Sequence, residues 1–238
     1  MSATPAARSY RYYDFVMAAS VTVLICSNFI GAAKQATVDL PLLGTVTFGA
    51  GVLFFPISYI FGDILTEVYG YGRDRRVVWA GFAALAFASF MAWVVVSLPP
   101  AGSDFMKTYQ ASLEMVFGNS WRIALGSMIA FWCGSFANAY ALAKMKLWTK
   151  GKWLWTRTIG STIVGELIDS ALFYFIAFYG IWATGDIVKI AIAQYILKTS
   201  WEIVMTPVTY KVVAFLKRAE SEDYYDRNTD FSPFTLKT

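Results

Sequence analysis

The chain has 238 residues, of which 57% are hydrophobic, 18% aromatic and only 15% charged, with a mean hydropathy of +0.49. A water-soluble domain of this length carries about 45–50% apolar and about 25% charged residues, and its single core cannot hide the excess, so the composition belongs to a lipid bilayer. There is no histidine, which excludes Ser-His-Asp and Cys-His nucleophiles and imidazole metal sites, and the net charge of +4 is placed as membrane orientation, not as a nucleic-acid face.

Apolar runs near the ~20 residues that a crossing helix needs predict six spans, at about 14–33, 49–70, 77–98, 122–144, 158–183 and 187–214. The first is entered through Arg8 and Arg11 and carries Asp14. It is too long for a signal peptide and lacks the cleavage context, so it reads as a retained helix. Residues 34–48 alternate weakly and contain Pro41 and Gly44, which predicts an outer loop or short hairpin. After the third span, residues 99–121 open with Pro99-Pro100 and predict a surface helix around 104–117. Cys26 and Cys133 both fall in apolar runs and form no CxxC pattern, so they read as small hydrophobes. The stretch from Glu220, with Asp223, Tyr224, Tyr225, Asp226 and Asp230, is polar and aperiodic, and is expected to be disordered or loosely attached. No lipidation signal and no soluble catalytic domain is found. The organisation expected is a cytoplasmic segment at 1–13, a transmembrane domain at 14–216 and a polar cytoplasmic tail at 217–238.

Basic residues set the direction. Arg8 and Arg11 precede the first span, and Arg73, Arg75 and Arg76 follow the second. Lys144, Lys146, Lys150, Lys152 and Arg157 join the fourth to the fifth, and Lys211, Lys217, Arg218, Arg227 and Lys237 fall at or beyond the end of the sixth. Only Lys34, Lys107, Arg122 and Lys189 lie on the other side. That asymmetry places both termini in the cytoplasm, and an odd number of spans would scatter it. The fold class expected is an all-α integral membrane protein with six transmembrane helices.

Five carboxylates and one ammonium fall inside the spans: Asp63, Glu67, Glu166, Asp169, Glu202 and Lys198. Each costs about 2.5–3.5 kcal/mol at the bilayer centre, so the set is kept only by facing inward, pairing or contacting water. Asp63 and Glu67 are spaced i,i+4, Glu166 and Asp169 i,i+3, and Gln194, Lys198 and Glu202 step by four, so each set shares a helix face. One reading is interhelical pairing, with Lys198–Glu202 as the foremost pair and Glu67 solvated near its helix end. But one cation cannot satisfy five anions, and the surplus acceptors bind protons, a coupling cation or the donors of a substrate.

Asn28 and Ser27, Ser135 and Asn138, and Gln194 are further hydrogen-bonding candidates, although such residues also serve simply to join helices. Trp132, Trp201 and Tyr59 offer a flat stacking surface, and Pro56 and Pro207 mark kinks beside the polar positions. The second and fifth spans carry related hexads, Gly62-Asp63-Ile64-Leu65-Thr66-Glu67 and Gly165-Glu166-Leu167-Ile168-Asp169-Ser170, as the middle helices of two inverted three-helix halves would. The expectation is that both face one cavity. Small residues Gly81, Ala84 and Ala88 permit a homodimer face.

Residues Phe55 to Gly70 (FPISYIFGDILTEVYG), followed by Arg75-Arg76, resemble the signature of the queuosine precursor transporters, within the vitamin uptake transporter family of bacterial inner-membrane proteins. Gly165 to Ser170 with Phe173, and Lys198 with Glu202, resemble its second and third motifs, and the likeness covers roughly residues 12–216. The resemblance implies import of 7-deazaguanines (preQ0, preQ1 or queuine) for tRNA modification, with no cofactor and no nucleic-acid partner. Such a base presents N1–H and a 2-amino group to a carboxylate, an O6 acceptor to an ammonium or amide, and a ring to an aromatic face. On that expectation Glu166 or Asp169 grips the donor edge, Asp63 or Glu67 takes a second donor, and Lys198 holds O6 or neutralises Glu202.

Two other transport readings stay open: a proton- or cation-coupled importer of a different nucleobase or vitamin, and a substrate-binding subunit of an energy-coupling factor importer. An enzyme is disfavoured, because beyond the acid pairs there is no His, no activated Cys and no Gly-rich phosphate loop.

Overall fold

The computed structural model describes residues 9–30, 35–40, 44–118 and 121–235. Among them are seven α-helices and one hairpin. Helix α1 spans Tyr13–Phe29, and strands β1 (Gln35–Leu40) and β2 (Gly44–Gly49) pair antiparallel with Gln35 opposite Gly49. A 3₁₀ turn at Ala50–Leu53 leads into α2 (Phe55–Tyr69), followed by α3 (Tyr71–Ser97), α4 (Asp104–Phe117) and α5 (Trp121–Trp148). Helices α6 (Leu154–Phe178) and α7 (Thr184–Glu220) complete the bundle. The expected hairpin and surface helix are both present; Arg8, Lys34, Pro41 and Lys237 lie outside the described residues.

Four segments are long and apolar enough to cross a membrane: Ala50–Tyr69, Tyr71–Ser97, Trp121–Trp148 and Leu154–Phe178. Helix α1 is apolar but has only 17 residues, and α7 carries Lys189, Lys198 and Glu202 along its length. Pro56 opens α2 in its first turn, where a missing N–H costs nothing, so it marks a helix start and not the kink expected from the sequence. Pro207 does lie inside α7.

Helix α2 is the axis of the bundle, with 11 of its 15 residues buried, so its acids have no direct route to solvent. Ile60, Ile64, Leu65 and Val68 of α2 pack with Tyr13, Val77, Val213 and Leu216. A second core joins Leu24 of α1, Val78 of α3 and Phe131, Phe136 and Ala139 of α5. Gly81 packs inward there, against Leu24 and Phe131, so it is not part of an open homodimer face.

The start of the bundle's first helix and the end of its last meet on one side. The backbone N–H groups of Tyr12, which caps α1, and of Arg11 just before it reach the Glu220 carboxylate at 2.6 and 3.0 Å. The Tyr10 hydroxyl donates to Glu222 at 2.7 Å.

The tail from Ser221 is docked across this same side, contrary to the sequence expectation of loose attachment. Tyr224 N–H donates to the Val68 carbonyl at 3.3 Å, and Asp226 accepts the Tyr71 N–H at 3.1 Å. Arg75 donates to the carbonyls of Asp230 and Ser232 at 2.7 and 2.6 Å, and Trp79 to that of Pro233 at 2.7 Å. Gly70, at φ 87°, reverses the chain between α2 and α3 and leaves the space that the Tyr224 ring fills; any side chain there collides with it. Polar sequence without periodicity hid this order, because the bonds run to main-chain carbonyls that composition does not reveal.

Candidate functional site

Helices α5 and α6 cross closely because Gly134 and Gly165 face each other; a Cβ built on Gly165 comes within 2.9 Å of the Gly134 carbonyl and 2.7 Å of Asn138 Cβ. Tyr59 of α2 lodges against this crossing, 3% exposed, and a Cβ on either glycine meets it. Beside the crossing, α6 presents Glu166 and Asp169, and α7 answers with Lys198. Its Nζ stands 2.9 Å from Glu166 and 2.5 Å from Asp169 and lies 4.3 Å above the Phe55 ring. The Lys198 side chain is 12% exposed and that of Glu166 0%, so the cluster is reached from the Lys198 side. The second Glu166 oxygen, Oε1, has no hydrogen-bond partner among the described residues.

Lys198 therefore does not pair with Glu202, as the four-residue spacing suggested. Residues i and i+4 share a face, but helix rotation turns the ammonium towards α6, where two carboxylates outweigh one. Asp63 accepts from Asn138 Nδ2 at 2.7 Å and from the Ser161 hydroxyl at 3.4 Å. Glu202 lies within electrostatic reach of both Asp63 and Glu166. Asp63, Glu166 and Glu202 are each 0% exposed.

Glu67 stands apart from this group. It is buried and not solvated, and cations occupy its carboxylate: Arg157 grips it with two bonds of 2.7 and 2.8 Å, and Lys217 approaches to 2.5 Å. Lys146 lies 3.4 Å from its carboxylate and donates to its carbonyl at 2.6 Å. The Arg157 fork matches a carboxylate's two oxygens, the geometry of the strongest ion pairs. Lys146 and Lys217 also hold Asp223 of the tail at 2.6 and 2.7 Å. Burial alone would raise the Asp223 carboxyl, but the bonds from these two lysines outweigh it and hold the group below its ordinary range.

Three other candidates lie elsewhere. Asn28 joins helices, accepting from Ser127 at 2.8 Å and donating to the Leu24 carbonyl at 2.9 Å. Trp132 packs into an aromatic group with Trp79, Phe136 and Phe234 at 4.9–5.8 Å between centroids, so Phe55 and not Trp132 supplies the ring beside the charges. Gln194 is half-buried on α7, one turn before Lys198. Sequence reading missed Arg157, Lys146, Lys217, Ser161 and Asp74. Arg157 and Asp74 sit just outside the predicted spans, where a charged residue reads as solvated, yet each is 1% exposed.

An apolar groove of about 640 Å³, within the range of small-molecule sites, lies between α1, α3, α4, α5 and α6, lined by Asn28, Trp93, Phe117, Trp121 and Phe173 among others. Phe173 is one helical turn from Asp169. Buried carboxylates, one lysine and aromatic faces among membrane-length helices are the makings of a small-molecule transporter.

The chain matches, over residues 49–212, the family described as "Putative vitamin uptake transporter". It is 33% identical over 187 residues to the "Probable queuosine precursor transporter" of Bacillus subtilis (strain 168), covering 78% of each chain. It is 25% identical over 171 residues to the "Queuosine precursor transporter" of Escherichia coli (strain K12), covering 68% of this chain and 71% of that one. No solved structure matches it. The chain belongs to the vitamin uptake transporter family, and is a multi-pass membrane transporter, not an enzyme.

Proposed function

We propose that this chain imports queuosine precursors, 7-deazaguanine bases of the preQ0, preQ1 and queuine class, across the bacterial inner membrane for tRNA modification. The observation that carries the reading is the Glu166–Asp169–Lys198 cluster beside Phe55, buried yet open on its lysine side. The relatives' names supply the substrate class. Glu166 takes N1–H and the 2-amino group, Lys198 moves from the acids to O6, and the Phe55 and Tyr59 rings flank the bicycle. Asp169 remains to compensate Lys198 or an aminomethyl cation. The aromatic groove leads the base towards Asp169.

In the orientation proposed, α1, α2, α3, α5, α6 and α7 cross the membrane with both termini in the cytoplasm. Two observations support it: the basic-residue asymmetry, and the joining of α1 to the end of α7 through Glu220. Helices then rock around the buried site.

The test uses bacteria able neither to make nor to import the precursor. They express the protein, receive preQ0, preQ1 or queuine separately at nanomolar level, and are scored for queuosine in tRNA on a boronate gel. The wild type should restore the modification with at least one compound. Glu166→Gln and Asp169→Asn should fall to the empty-vector level with unchanged protein in the membrane. Restoration by both variants refutes the carboxylate site, and no restoration by the wild type refutes the substrate class.

A further inference from the structure

The interior acids differ in charge compensation. Glu166 and Asp169 share Lys198, and Glu67 holds Arg157, Lys146 and Lys217. Asp63 and Glu202 have no cation among the described residues. Both are 0% exposed, and they lie within electrostatic reach of each other. Asp63 Oδ2 and both Glu202 oxygens have no hydrogen-bond partner among the described residues. The same holds for Oδ1 of Asn138, 2% exposed, whose amide nitrogen already donates to Asp63.

Two carboxylates taken out of water with no counterion, each within electrostatic reach of the other, are costly and repel one another. Carboxyl pairs in such settings hold one proton between them. A multivalent ion is the other remedy, but no set of three acid, Cys or His ligands converges on one point among the described residues. The surroundings leave the pair to itself: α3 contributes only Asp74, α6 contributes Glu166, and Lys198 on α7 is turned away to Glu166 and Asp169.

We propose that Asp63 and Glu202 form a proton-binding pair that couples import to the proton gradient, separate from the Glu166–Asp169–Lys198 cluster left to the substrate. The proposal rests on the transport reading above. The pair takes one proton from external water, becoming carboxylic acid and carboxylate, and carries it inward with each substrate molecule. On the inner side the acid returns that proton to water. A cavity of about 20 Å³ lined by Ser58, Gly62, Asp74 and Asn138 has room for one water and joins this region to α3.

Two measurements test it. Infrared spectra of the purified protein at neutral pH should show a protonated-carboxyl C=O band that weakens in both Asp63→Asn and Glu202→Gln. A band unchanged in both variants, or absent from the wild type, overturns the shared proton. In proteoliposomes, an acid-outside gradient of about one pH unit should accumulate radiolabelled preQ0 about tenfold at one proton per substrate. Glu202→Gln should lose that accumulation while keeping preQ0/preQ0 exchange, which moves no net proton. Exchange without any response to the gradient, or accumulation driven by sodium instead, overturns the coupling. If the wild type shows no exchange of preQ0, preQ1 or queuine, the transport reading fails and the coupling with it, while the infrared band still decides the shared proton.

Discussion

Replacing Glu67 by Gln separates a structural acid from a ligand-binding one. The substitution keeps the side chain's volume and removes its charge, leaving the Arg157 guanidinium, 1% exposed, with neutral acceptors alone: one amide oxygen of the new side chain and the backbone carbonyls of Gly151 and Lys152. Lys146 and Lys217 keep Asp223, so the stranded charge is Arg157. Removing one partner of a buried ion pair costs about 3–5 kcal/mol. At about 2–4 °C per kcal/mol for a chain of this size, the thermal midpoint should fall by about 6–20 °C. Intrinsic tryptophan fluorescence of the protein in detergent reads it. Adding Arg157→Met to Glu67→Gln removes the stranded charge, so the double variant should lose less than the sum of the two single losses. An unchanged midpoint in Glu67→Gln together with abolished uptake would refute this reasoning and return Glu67 to the substrate site.

Two other outcomes follow from the packing and the tail. Gly165→Ala forces a methyl group against the Gly134 carbonyl and Asn138 Cβ, backbone and short side chain that cannot swing aside; it should cost about 1–3 kcal/mol by overpacking, read as a lowered thermal midpoint. Asp223 is held below its ordinary 3.8 by Lys146 and Lys217. A lowered carboxyl stabilises the docked tail above its unfolded value and loses that stabilisation as pH falls through the folded one. Amide exchange across 223–235 should therefore be slow at neutral pH, accelerate as pH drops below about 3.8 relative to the intrinsic rate, and already be faster at neutral pH in Asp223→Asn. Asp226 works in the opposite sense, since burial raises it against the bonds from Thr229 and Tyr71. Equal protection in Asp223→Asn and wild type would show that the tail is held by its carbonyl contacts alone.

Hydropathy, turn residues and capping are properties of neighbouring residues, and what they control was legible in the chain itself. The surface helix at Asp104–Phe117 and the hairpin are found where local pattern put them, and four of the six apolar runs are helices long and apolar enough to cross a membrane. The inward-facing acids were legible too, because helical periodicity decides which residues share a face. Which acid meets which cation was not legible, since that depends on helix rotation and on the reach of long side chains across the bundle. Lys198 is one turn from Glu202 in the chain but touches Glu166 and Asp169 on another helix. Arg157 and Lys217 come from segments 90 and 150 residues away to close on Glu67. The tail carries no hydrophobic period, yet its own carbonyls are held by the side-chain donors of Arg75 and Trp79, which only the assembled bundle brings within reach. Tertiary structure alone thus divided the interior acids into those with counterions and those without, because compensation is a matter of distance in space and not of spacing in the chain.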